Sequence, residues 1–112
     1  MNTKMLISKE IWHDLASRGL LDAIRQENEN TWMHYDYTNT KSTSNVMKVW
    51  LNLAALQAVL VECRITISNL EAEIAGGGDN SEERSWLAKW RRAQNKFNTE
   101  LSYYGIKQEI TQ

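Results

Sequence analysis

The sequence predicts a soluble, all-α domain centred on an antiparallel helical hairpin, and three observations carry that expectation. Apolar residues recur at alternating spacings of three and four from Val46 to Ile74. Three consecutive glycines, Gly76 to Gly78, then stop the pattern. A second apolar stripe, Trp86, Trp90, Ala93, Phe97, Leu101 and Tyr104, follows them.

Taken in chain order, residues 1–26 read as an N-terminal helical segment. Ser8 can cap a helix carrying Ile11, Trp12 and Leu15; Gly19 interrupts it, and Leu20, Leu21 and Ile24 resume the apolar face to about Gln26. Met5, Leu6 and Ile7 form a short apolar piece ahead of it, without a secretory apolar region or a small-residue cleavage pattern. Residues 27–45 are rich in Asn, Thr and Ser around an aromatic knot, Trp32-Met33-His34-Tyr35-Asp36-Tyr37. The knot alternates as one short strand would, but no partner strand is visible, so it reads as an ordered loop packed on the hairpin.

The central helix is expected over residues 46–75. Val46, Val49, Leu53, Leu56, Leu60, Cys63, Ile67, Leu70 and Ile74 make one a/d seam. Met47, Leu51, Ala54, Ala58, Val61, Ile65, Ser68 and Ala72 make a second beside it. A helix apolar over so wide an arc needs more than one neighbour. The turn at 76–80 ends in Asp79 and Asn80, either of which can cap a second helix over 81–104 with Glu82 or Glu83 completing a capping box. Gly105 is the expected stop, and 105–112 the tail. Counted from the turn, the second helix ends near Leu56. Val46, Val49, Trp50 and Leu53 therefore outrun it, and oligomerisation is expected to complete the bundle.

Composition narrows the function classes. A chain of 112 residues, 42% hydrophobic and 24% charged, makes one globular domain rather than a disordered segment. A net charge of −1 supplies no global field for nucleic acid or acidic membranes. The apolar run from Val49 to Val61 is broken by Asn52 and Gln57 and is short for a bilayer. With the lone Cys63 ruling out an internal disulfide, a reducing, cytoplasmic setting is expected.

Candidate sites are few. Arg84, Lys89, Arg91, Arg92 and Lys96 form the one basic concentration, and Lys89, Arg91, Arg92 and Lys96 are the candidates for phosphate contact. On an amphipathic helix such stems also flank an apolar seam and keep their charges in water. Ile11–Glu27 faintly resembles a helix-turn-helix, but Asp22 and Glu27 would meet phosphates poorly. His34 with Asp36, and His13 with Asp14, lack metal-ligand spacing, and the glycines lack the lysine and hydroxyl of a phosphate loop. Cys63 falls in the seam as apolar filler. No catalytic residue, metal site or cofactor is expected.

Five tryptophans in this length point instead to recognition. Trp32, Tyr35, Tyr37 and Trp50 are the protein-binding candidates, with anchoring of the aromatic loop onto the domain as the plainer role for the first three. The expected function is a small non-enzymatic interaction protein binding itself, as a homodimer or higher oligomer, and a protein partner. Size and composition would suit a phage or mobile-element accessory protein acting as an inhibitor or modulator. The alternative is an oligomeric nucleic-acid-associated regulatory or packaging protein using the basic helix face.

Overall fold

Met47, Val49 and Leu51 are wholly buried, whereas Val46, Lys48 and Trp50 between them are only partly so. That alternation belongs to a strand, whose side chains point to opposite faces in turn. The computed structural model describes residues 2–27, 29–36 and 45–111, with side chains as far as Tyr104. In it the all-α expectation is overturned: the domain is mixed, with a three-stranded antiparallel sheet and four helices. The elements are β1 (Asn2–Ser8), α1 (Lys9–Ser17), α2 (Leu20–Glu27), β2 (Met33–Asp36), β3 (Val46–Asn52), α3 (Leu53–Ala75) and α4 (Ser81–Thr111).

The sheet order is β1-β3-β2. β3 pairs over its whole length with β1, from Asn2 opposite Asn52 to Ser8 opposite Val46. On its other side it pairs with β2, from Met33 opposite Leu51 to Asp36 opposite Lys48. The apolar piece Met5-Leu6-Ile7, within β1, and Met33–Asp36 of the aromatic knot, as β2, are thus the two partners that receive Val46–Asn52. Each is too short to declare itself alone, and the three together satisfy one another's backbone groups.

The predicted 46–75 helix is accordingly shorter and begins at Leu53. Asn52 makes the switch: its side chain accepts from the Ala55 N–H at 2.9 Å, capping α3. The same Oδ1 accepts the Trp32 N–H at 3.0 Å, and its amide donates to the Asn30 carbonyl, tying the approach to β2 to the start of the helix. Val46, Val49 and Trp50 therefore do not project past a second helix, and the argument for oligomerisation built on that projection falls with it.

Sheet and helices enclose one core. Met5, Ile7, Met33, Met47, Val49 and Leu51 cluster with Ile11, Trp12, Leu15, Leu21 and Ile24 and with Leu56, Val59, Leu60, Trp90 and Phe97 of the long helices. α1 and α2 break at Gly19, whose φ of +72° is a left-handed turn. At the other end Asn80 donates from its side chain to the carbonyls of Ile74 and Gly78, sealing the end of α3. α4 does not stop at Gly105 but continues to Thr111.

Candidate functional site

Alternation divides the sheet into two faces. Met5 and Ile7, Met47, Val49 and Leu51, and Met33 point into the core; Lys4 and Leu6, Lys48 and Trp50, and His34 and Asp36 occupy the opposite face. Register sets these outer residues in rows across the strands. Lys4, Trp50 and His34 form one row, and Leu6, Lys48 and Asp36 the next. The His34 and Trp50 rings meet at 5.1 Å, inclined by 42°. Leu6 is 48% exposed and Trp32, which precedes β2, 45%. Trp32 continues the pairing, its carbonyl accepting the Asn52 N–H at 3.0 Å. Alternation therefore turns its indole away from buried Met33, to the outer side.

The face is thus an indole flanked by a lysine and an imidazole, with a leucine, a second lysine and an aspartate below and a second indole at one end. Its β1 edge is closed rather than free. Lys96 of α4 donates to the Leu6 carbonyl at 3.1 Å, and the Thr3 hydroxyl donates to Glu100 at 2.7 Å. A cation set on an edge strand in this way discourages pairing with another strand.

The expected aromatic surface is divided by the fold. Trp32 and Trp50 lie on the outer side. Tyr35 lies on the other, its ring 5.6 Å from that of Trp12 in an edge arrangement and 5.4 Å beneath the Arg25 guanidinium. It anchors β2 to the core. Tyr37 lies outside the described residues. Of the other tryptophans, Trp12 and Trp90 are wholly buried, and Trp86 lies under the Lys89 ammonium at 4.8 Å.

Of the basic candidates, Lys89, Arg92 and Lys96 line one groove, and Arg91 lies apart from them on the side of α3. Lys89 pairs with Glu10 at 3.0 Å, Arg91 with Glu71 at 3.5 Å on the side of α3, and Lys96 holds β1. Arg92 is exposed beside the groove that Ile7, Val46 and Lys89 also line. Three of the four cations are therefore engaged within the chain. Burial pushes the Cys63 thiol up to about 12, with Glu62 adding to the rise, so it stays protonated and unreactive at neutral pH. Among the described residues no group of three His, Cys, Asp or Glu side chains is placed to hold a metal ion. α3 is long and apolar enough by length and composition to cross a membrane, but it is also the helix about which this core is built.

No family model matches this chain, and neither a curated protein nor a solved structure does. The fold is a small α+β domain whose outer sheet face is exposed at Lys4, Leu6 and His34 and half-buried at Lys48, Trp50 and Asp36. Lys4, Leu6, His34 and Lys48 escaped the sequence reading as members of one surface. Their signal was the alternation of Met5 with Ile7 and of Met47, Val49 and Leu51, which marks the residues between as outward once a sheet is assumed.

Proposed function

We propose that this chain is a non-enzymatic binding module whose outer sheet face docks on a protein partner. The observation that supports it is the composition of that face: Trp32, Trp50 and Leu6, set among Lys4, Lys48, His34 and Asp36, with α4 alongside at the edge that Lys4 and Leu6 form. Indoles ringed by polar and charged groups are the usual anchors of such interfaces, offering large contact area at small conformational cost. A rigid sheet presents them without an ordering penalty. Inhibition or modulation of that partner, as in a phage or mobile-element accessory protein, is the role in keeping with so small a chain.

A second reading has one observation in its favour. Lys4 stands opposite Trp50, with Lys48 in the next row, and a stacking indole beside cations also suits single-stranded nucleic acid. One experiment separates the two. The tagged full chain is used for capture from nuclease-treated host lysate, in parallel with titration against a labelled single-stranded oligonucleotide over a range of salt. A protein site predicts a captured protein that survives nuclease and high salt and is lost with Trp32→Ala/Trp50→Ala. A nucleic-acid site predicts oligonucleotide binding that falls steeply with salt. Capture unaffected by the double substitution overturns the assignment of this face.

A further inference from the structure

Ala58, Val61, Ile65, Ser68 and Ala72 follow one another at spacings of three and four along α3, the first half-buried against the core and the other four exposed. Val61 is 48% exposed and Ile65 49%, whereas Leu56, Leu60, Cys63, Ile67 and Leu70 of the same helix are 9% or less. α2 reaches only one end of this stripe, where Ile24 and Glu27 lie beside Ala58 and Val61. On a helical wheel Glu62 and Asn69 border it on one flank, and Arg64 and Glu71 on the other. The stripe has coiled-coil spacing, and among the described residues no helix lies along it beyond the end that α2 reaches.

We propose that a second copy of this chain docks here, its α3 antiparallel to the first, in a two-fold dimer. Both shape and charge select that occupant and one register. With Ile65 set against Ser68 of the second copy, Val61 falls against Ala72, so each large side chain meets a small one and the helices approach closely. The same register brings Arg64 opposite Glu71 of the second copy, and symmetry repeats the pair. Glu71 then lies between two cations, since Arg91 of its own chain already holds it at 3.5 Å. Moving one heptad to set Ile65 against Val61 places Arg64 opposite Arg64 and Glu62 opposite Glu62, and like charges reject it. The parallel arrangement sets Arg64 against Asn69 and gains no opposite-charge pair.

The stripe from Ala58 to Ala72 is about 21 Å long at 1.5 Å per residue, short for a stable interface, so the dimer is weak. Sedimentation equilibrium of the full chain over about 5–500 µM tests it. The mass should rise with concentration from 13.0 kDa towards twice that value. Ile65→Arg should weaken association about tenfold or more with melting temperature unchanged in dilute solution. Arg64→Glu and Glu71→Arg should each weaken it, and the two together should restore it. A wild-type chain that stays monomeric throughout overturns the proposal. So does a charge swap as weak as its single parents. Association that survives Ile65→Arg but not Trp50→Ala puts the contact on the sheet face and overturns it too. The partner-binding proposal rests on other residues and stands or falls separately.

Discussion

Among the described residues, the outer face of the sheet and the outer face of α3 both carry exposed apolar side chains, yet they differ in kind. The sheet face carries indoles, an imidazole and charges of both signs fixed in rows by cross-strand register. The α3 face carries small aliphatic residues at coiled-coil spacing with one cation and one carboxylate on a flank. The first surface has no symmetry that its own copy would complement. The second is complementary to itself when reversed. Exposed area alone does not say what a surface binds; the arrangement of residue types does. Heterologous recognition is accordingly proposed for the sheet and self-association for the helix.

The largest expected effect tests whether the two sides of α3 are as different as this comparison requires. Leu60 is 1% exposed and Ile65 49%. Leu60→Asp buries an unpaired carboxylate at a cost of several kcal/mol, about the whole stability of a small domain, and should leave the chain unfolded by circular dichroism. Ile65→Asp in dilute solution should melt within a few degrees of wild type. Equal losses would mean that the outer stripe is not a free surface.

Cys63 sharpens the same contrast from inside the helix. Its thiol is raised from an ordinary 9.0 to about 12 because burial disfavours the thiolate. Below pH 9 both folded and unfolded chains hold the proton, and the group is neutral in its effect. Between pH 9 and 12 only the unfolded chain releases it, so folding stability falls by about 1.4 kcal/mol per pH unit from this group. Denaturant unfolding at several pH values above 9 should therefore show a steeper decline for wild type than for Cys63→Ala. Parallel slopes would show that the thiol reaches water, and that this side of α3 is not closed.

Asn52 stands between the two surfaces, and its removal loosens one from the other. Its side chain caps α3 at the Ala55 N–H and holds the Trp32 N–H on the sheet side. Asn52→Ala should cost about 1–2 kcal/mol, the upper range for a helix cap because two N–H groups lose one acceptor. Amide exchange should quicken at Trp32 and Ala55 together. Faster exchange at Ala55 alone would show that the sheet holds Trp32 without it.

Legibility in the sequence followed the same division. Helical periodicity is local, so the seam from Leu56 to Ile74, the stripe from Trp86 to Tyr104 and the break at Gly19 could be read directly. The strands could not. Val46, Val49 and Leu53 fit a helix while Met47, Val49 and Leu51 fit a strand, and seven residues satisfy both. What decides between them is Asn2–Ser8, which pairs with this run from the far end of the sequence. Of the second apolar series, read as needing another neighbour, Met47 and Leu51 belong to β3 and the core, α2 lies beside Ala58 and Val61, and the stripe from Ala58 to Ala72 is the proposed dimer seam. Trp32 and Trp50 attracted notice for their size, but register, not periodicity, sets them on one face and turns Tyr35 to the other. Lys4 and Lys48 carried no signal of their own.

A small stability effect belongs to the pair on which the functional reading depends. Trp32 is 45% exposed, and half-buried Trp50 meets His34 on the outer face, so truncating both removes cross-strand contact but none of the buried core. Trp32→Ala/Trp50→Ala should lower stability by about 1 kcal/mol or less, chiefly the cross-strand contact of Trp50. A melting temperature lower by a few degrees is the matching thermal readout. Tyr35 is kept out of this pair because its contacts with Trp12 and Arg25 make it part of the anchoring of β2. Against so small a structural change, partner capture should be lost altogether, since hot-spot indoles commonly carry 2 kcal/mol or more of binding, about thirtyfold each in affinity. A double variant that melts 10 °C or more below wild type would instead make both tryptophans structural, at ~4–8 °C per kcal/mol for a domain of this size. The sheet face would then be a lid on the core, and the distinction between the two surfaces would reduce to the α3 stripe alone.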